Sequence, residues 1–225
     1  AESLDDALRA LEDPSAMAIG GGTDLLVWID EGLAAPTRVV DVRAIPGASE
    51  ISVRPDGSVR IGAGVRIAAL AVHETLRERF PSLAAAAASV GTPALREMGT
   101  LGGNLAQRPR CWYLRRGVHC FKNGGTACAA VGGEHHYHGI VATGTCRAVH
   151  PSDPAVALEA LDAHVEIVGA IAGAQRVTRR VTIAALFDGA AANAKAELTL
   201  APGELITAIE LPAAAAGGVQ HWEKL

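Results

Sequence analysis

Four cysteines, Cys111, Cys120, Cys128 and Cys146, lie in one segment that also carries His119, His135, His136, His138 and His150. Soft ligands concentrated in one stretch point to a metal site. The segment follows a glycine-rich turn, Gly99-Thr100-Leu101-Gly102-Gly103-Asn104. A turn without Cβ atoms lets backbone amides approach an anionic ligand. A metal beside a phosphate-bearing cofactor is the make-up of an electron-transfer site.

The cysteines are separated by eight, seven and seventeen residues. That pattern lacks the CxxC knuckles of most structural zinc sites, although zinc stays open as an alternative. Four thiolates can fully ligate a cubane iron–sulfur cluster. Two disulfides are the remaining structural alternative, in an oxidising compartment. The histidines read as surface or supporting groups, since the cysteines suffice.

A second glycine cluster, Gly20-Gly21-Gly22-Thr23-Asp24-Leu25, sits between an apolar run and a helix start. It is neither a GxGxxG fingerprint nor a P-loop, because no Lys follows. Alone it could be only a turn. With the loop at Gly99–Asn104, each carrying a Thr hydroxyl, it could clamp one pyrophosphate from two sides.

Ser3-Leu4-Asp5-Asp6 has capping-box spacing, and Leu4, Leu8 and Leu11 share a face, so a short helix is expected from Leu4 to Leu11. Strands at Ala16–Ile19 and Arg38–Val42 flank a helical stretch from Leu25 to Glu31, a βαβ-like unit. Ile51–Val53 and Val59–Ile61 form a hairpin about Pro55-Asp56-Gly57. Ile67–Arg79 and Ser82–Val90 read as helices, the second with an alanine run that permits close packing or simply favours helix. A helix begins at Asp153-Pro154, where Asp153 is itself a candidate N-cap. His164–Ile171 and Gln175–Thr182 make a hairpin around Gly173, Leu205–Leu211 is a last strand, and Val219–Leu225 reads as a strand just begun. The order argues for two α+β lobes.

Composition narrows the rest. In 225 residues, charged residues make up 20% and the net charge is −4, so there is no basic footprint for nucleic acid. Aromatics are only 4%, leaving few groups to stack on bases. No apolar stretch is long enough to span a membrane. The chain opens without Met and closes abruptly, the expectation for an excerpt of a longer protein.

These loops resemble the flavin-binding elements of the molybdenum hydroxylases, the family of xanthine dehydrogenase, carbon monoxide dehydrogenase and aldehyde oxidoreductases. The similar stretches are Gly20–Leu25, Gly99–Asn104, Pro151-Ser152-Asp153, the strand Glu204–Pro212 and Trp222-Glu223-Lys224. The segment between Asn104 and Ser152 resembles an insertion in the branch with periplasmic aldehyde oxidoreductase and 4-hydroxybenzoyl-CoA reductase, with Gln107-Arg108-Pro109-Arg110-Cys111-Trp112-Tyr113 as its opening.

The resemblance implies an α+β, two-lobed FAD-binding fold of the vanillyl-alcohol oxidase / p-cresol methylhydroxylase type, with an inserted iron–sulfur loop. A small lobe would occupy 1–52 and a larger one 53–212, with the insertion at 105–150; 213–225 would begin a further C-terminal domain. FAD would contact Gly20, Gly21, Gly22, Thr23, Asp24, Leu25, Thr100, Gly102, Gly103 and Asn104, with Asp153 on the ribityl or flavin edge and Ile206 and Lys224 near the isoalloxazine. Cys111, Cys120, Cys128 and Cys146 would hold a [4Fe-4S] cluster. The chain would be the electron-transfer subunit of an oxidoreductase, partnered by a molybdenum-cofactor large subunit and a [2Fe-2S] small subunit and delivering electrons to an external acceptor. No side chain here would be catalytic on the substrate, since the cofactors carry that chemistry. Branch members occur in the cytoplasm and the periplasm, so the compartment stays open. The contrasting readings are a zinc-stabilised nucleotide-binding module without redox activity and a self-contained flavin oxidase, for which no substrate-handling side chains are evident.

Overall fold

The computed structural model describes residues 1–141, 144–172, 175–188, 193–214 and 218–224. α1 (Leu4–Leu11) starts where Ser3 Oγ accepts from the Asp6 amide, as its spacing predicts. β1 (Ala16–Ile19), α2 (Leu25–Asp30) and β2 (Arg38–Asp41) form the expected βαβ unit, with β1 and β2 parallel. Ala7, Leu8 and Leu11 of α1 bury against Val40 of β2, and the same cluster reaches Val168 and Leu205 in the second sheet.

β3 (Ile51–Val53) and β4 (Val59–Gly62) form the predicted hairpin. The chain then enters a run of short helices, α3 (Ile67–Val72), α4 (Glu74–Arg79) and α5 (Pro81–Ala88). The single helix expected over Ile67–Arg79 is two, joined by extended backbone at His73 (ψ 123°). The apolar phase explains the break: on one continuous helix Leu76 would point about 120° away from Leu70. With the link both side chains are fully buried. In α5, Ala86 and Ala87 are also fully buried, and the helix packs on α3 and α9 (Asp153–Ala160), so the alanine run serves close helix approach.

α6 (Pro93–Met98), α7 (Leu101–Leu105), α8 (Trp112–Arg115) and α10 (Ile183–Phe187) were not evident from periodicity, being only four to six residues long. β5 (His164–Ala172), β6 (Gln175–Thr182) and β7 (Leu205–Leu211) complete an antiparallel sheet of order β3-β4-β7-β5-β6. The turn expected at Gly173 lies outside the described residues. Val59, Ile61, Val165, Ile167, Ile209 and Leu211 alternate onto one sheet face and bury completely against the helices. Each such side chain contributes roughly 1.5–3 kcal/mol.

The strand expected from Val219 onward is absent over the described residues 218–224. Side-chain contacts fix that segment instead: Gln220 Nε2 donates to the Arg79 carbonyl, Ser82 Oγ donates to Gln220 Oε1, and Lys224 reaches Asp153. Leu225 lies outside the described residues, and no described helix is long and apolar enough to cross a membrane.

Candidate functional site

The first glycine loop leaves β1 at Ile19 and enters α2 at Leu25. Gly22 has φ +74°, the left-handed region that favours glycine. A Cβ on Gly21 would collide with the Met98 carbonyl and one on Gly20 with Thr100 Oγ1. The two glycine loops, remote in sequence, are therefore pressed against each other. The amides of Gly21, Gly22, Thr23 and Asp24 donate to no protein group among the described residues. These stretches line an open chamber with Trp28 and Arg108. A row of unpartnered N–H groups facing such a chamber is a cradle for an anion.

The second loop works differently from its expectation. From Leu101 onward its amides are already spent: Leu101 N–H donates to Val65 O and Gly102 N–H to Ala63 O, both at 2.8 Å. Gly103 N–H reaches Thr100 Oγ1 at 3.2 Å, and Asn104 N–H reaches Thr100 O at 2.8 Å. The residues fold as α7, with Thr100 as its cap, rather than as an open turn. Gly102 is needed for packing, since a Cβ there would stand 2.8 Å from Ala63 Cβ. At Gly103 a Cβ would meet nothing within 4 Å except the Thr100 hydroxyl. That surface is smooth because it carries no side chain.

Thr100 and Gly103 line three adjoining chambers, which together form one trough. The largest, about 970 Å³ when the space open to solvent is included, is walled by Val42, Ile45, Ala63, Leu205 and Ile206. Its polar wall is Glu166, which accepts from Arg60 Nη2 at 2.8 Å and Thr207 Oγ1 at 2.6 Å. Burial pushes the Glu166 carboxyl up, but these bonds and the Arg60 charge outweigh it and hold it below its ordinary value. At another end, Asn104, Gln107, Arg110, Asp153 and Lys224 line the third chamber. Lys224 Nζ lies 2.6 Å from Asp153 Oδ2 and 3.3 Å from the Ser89 carbonyl.

Asp153 is not the cap of α9. Ser152 takes that place, its Oγ accepting from the Ala155 amide at 3.1 Å and donating to Asn104 Oδ1 at 2.5 Å. The Asp153 carboxylate is thereby left to face Lys224. Ile206 is not brought to this pair; it lines the large chamber and is nearly buried. Thr23 and Leu25 line the middle chamber. Asp24 lines it too, yet its carboxylate turns to the inserted segment: Oδ2 accepts from Arg108 N–H at 2.9 Å and Oδ1 from Arg115 Nη2 at 2.8 Å.

The inserted segment gathers Cys111, Cys120, Cys128 and Cys146 around one small cavity, with Tyr113, Leu114, Phe121, Lys122, Ala129 and Ala148. All four are free, with no disulfide between them in this structure. Among the described residues no three His, Cys, Asp or Glu side chains are set to share a single metal ion. Burial pushes the Cys146 thiol up, reinforced by Cys128 and Cys111 nearby. His138 is buried with Nε2 3.2 Å from Cys111 Sγ, edge-on to Trp112, and burial lowers its pKa. His150 closes the base of the insertion, its Nε2 2.9 Å from the Gln107 carbonyl and its ring on Phe187; burial lowers its pKa too.

Sequence reasoning missed the clasp at that base. Arg108 and Arg115 set their guanidinium carbons 4.1 and 4.2 Å from the ring centroid of buried Trp28. Arg108 also pairs with Glu197 at 2.9 Å, and Lys122 donates to the Ala196 carbonyl at 2.5 Å. The available signal was the arginine density around Cys111 opposite an acid following a glycine loop.

Comparison with known proteins agrees with this geometry. Residues 1–214 match the family described as FAD binding domain in molybdopterin dehydrogenase. The chain is 38% identical over 209 residues to the aldehyde oxidoreductase FAD-binding subunit PaoB of Escherichia coli (strain K12), covering 92% of this chain and 64% of that protein. It is 33% identical over 106 residues to the xanthine dehydrogenase FAD-binding subunit of Escherichia coli O157:H7, covering 47% of this chain and 36% of that protein. The chain thus spans less than two thirds of each of these relatives. Among solved structures, the Cu,Mo-CO dehydrogenase superposes with a TM-score of 0.67 at 23% identity, over 96% of this chain and 59% of that one. Quinoline 2-oxidoreductase from Pseudomonas putida 86 gives 0.66 at 24% identity, over 96% and 58%. Both support the α+β FAD-binding fold. With a family match over residues 1–214, nearly the whole sequence, the chain belongs to the FAD-binding domains of the molybdopterin dehydrogenases, the molybdenum hydroxylase family.

Proposed function

We propose that this chain is the FAD- and [4Fe-4S]-containing electron-transfer part of a molybdenum-dependent hydroxylase or dehydrogenase of the aldehyde or xanthine type. The observation that carries the flavin half is the row of unpartnered amides at Gly21–Asp24, facing a trough whose floor at Gly103 bears no side chain. Those N–H groups would hold the FAD diphosphate, with the Thr100 hydroxyl donating from the side. Asp153 and Lys224 would stand at the isoalloxazine end, and Ile206 would wall the large chamber. Bound FAD supplies the exchange between one-electron and two-electron steps.

The cysteine cavity suits a cubane. Four thiols converge on one apolar hollow, and a cubane presents its irons at separate corners, each to one thiolate. Cys111, Cys120, Cys128 and Cys146 would be its ligands, and the cluster would supply one-electron exchange. The match to PaoB runs over 92% of the chain and so spans the insertion, whereas the xanthine dehydrogenase subunit matches only 47%. The family relationship to redox flavoproteins weighs against the zinc-stabilised binding module. A molybdenum-cofactor large subunit and a [2Fe-2S] small subunit are the proposed partners, with an external electron acceptor. The domain limits 1–52, 53–212 with its insertion at 105–150, and 213–225 belong to the same proposal.

FAD titration into the flavin-stripped complex tests the reading. Saturable binding with perturbed flavin absorbance is the expected result, and no binding above that of an unrelated protein would contradict it.

A further inference from the structure

Asp24 follows the amides that face the trough, yet it spends both carboxylate oxygens on the insertion. One accepts from the main chain of Arg108 and the other from the guanidinium of Arg115, residues that bracket Cys111. Cys111 in turn caps α8, its carbonyl accepting from the Arg115 amide at 2.9 Å. Both guanidinium groups press on Trp28 of α2, the helix that the first glycine loop feeds. Asp24 and Arg115 are only 17% and 15% exposed in their side chains, so this pair is shielded from the screening that makes surface pairs negligible. Loop, helix and cysteine segment are one hydrogen-bonded body at this point.

We infer that the Asp24 side chain is a positioning group, not a cofactor contact: with Arg115 and Trp28 it clasps the first glycine loop to the cysteine cavity, so that filling either site stabilises the other. The inference rests on the assignment of FAD to the trough and an iron–sulfur cluster to the cavity. Coupling carried by a shared element must be reciprocal: whatever factor an ordered cavity adds to FAD affinity, bound FAD adds to iron retention. Shift of the loop main chain by a fraction of an ångström would suffice, because the amides beside Asp24 have no other partner to hold them.

A double-mutant cycle on FAD affinity, measured on the intact complex after flavin removal, tests this. Cys120→Ser, which takes a thiolate from the cavity, is expected to weaken FAD about fivefold, the low end of ordinary coupling. Asp24→Ala is expected to weaken it by a similar factor, and the double variant by no more than either alone. Asp24→Glu, which keeps a carboxylate, is expected to restore most of the coupling. Arg115→Gln, which alters the clasp without touching the loop, is expected to behave as Asp24→Ala does. Iron released by chelator in the presence and absence of FAD gives the reciprocal factor. The clasp is overturned if Cys120→Ser leaves FAD affinity unchanged, or if the single losses multiply in the double variant, since the latter marks the Asp24 carboxylate as a direct FAD contact. A wild-type complex carrying neither flavin nor iron would instead defeat the underlying cofactor assignment.

Discussion

At the scale of single residues, the two glycine loops differ in kind although they look alike in sequence. Glycines at 20 and 21 are required because one loop leans on the other; Gly102 is required by Ala63; at Gly103 a Cβ would meet only the Thr100 hydroxyl, so on the proposed reading this glycine leaves room for the FAD. Gly103→Val would place two methyl groups in the trough, and the cost of overpacking, about 1–3 kcal/mol, corresponds to FAD binding at least about tenfold weaker. Flavin content near wild type in the purified variant would remove Gly103 from the cradle. Cys120→Ser makes the complementary prediction: iron falls to a small fraction of wild type while most FAD remains bound at micromolar protein, since a severalfold loss of affinity leaves a tight site largely filled. Iron at wild-type stoichiometry would take Cys120 out of the ligand set. The sequence made the glycines, Thr100 and the four cysteines legible because their types carry chemistry. The cap at Ser152 rather than Asp153 and the partners of the Asp24 carboxylate were not legible, because which of two neighbouring oxygens caps a helix, or which partner a carboxylate finds, depends on what the fold brings near.

At the scale of elements, strands and amphipathic helices were readable from period and capping, whereas the helices from Pro93 to Arg115 were not. Each is too short to show a period, and α7 contains two glycines that disfavour helix on propensity alone. Tertiary contacts impose it: Val65 and Ala63 take its first amides. The wall of the large chamber has a similar dependence on a few bonds. Arg179 of β6 grips Glu204 through two nitrogens at 2.8 and 2.7 Å, and Glu204 in turn accepts from the Ala201 amide at 2.8 Å, fixing the turn that leads into β7. The Arg179 hydrogen bond holds the Glu204 carboxyl below its ordinary value of 4.5. A depressed carboxyl contributes stability that is present above its unfolded value and lost as pH falls through the folded one. Glu204→Gln should therefore destabilise the protein by about 1 kcal/mol at neutral pH, with the gap to wild type closing on acidification below the ordinary value. Urea midpoints for both proteins at neutral and acid pH would read this directly; a gap that is constant or widens with acid would refute the role of the ion pair.

At the scale of the whole molecule, the small parallel unit supplies the unpartnered amides, the antiparallel sheet with its helices supplies the glycine floor, and the insertion supplies thiols alongside both. Family membership was legible in the two glycine loops and the Pro151-Ser152-Asp153 element, and the insertion stood out as a block of cysteines between two of them. The packing of that block against α2 and the first loop was not legible, since it depends on arginine side chains reaching across the fold. The central claim is that flavin and an iron–sulfur cluster lie side by side on this one chain. Its most direct test is quantitation of FAD, iron, acid-labile sulfide and zinc on the anaerobically purified intact complex and on the same complex carrying Cys120→Ser. The account predicts FAD in both, with a block of iron and matching sulfide present in the wild type and missing from the variant, the remainder belonging to partner clusters. Equal iron and sulfide in the two preparations, zinc in place of iron, or a complex without flavin would contradict it.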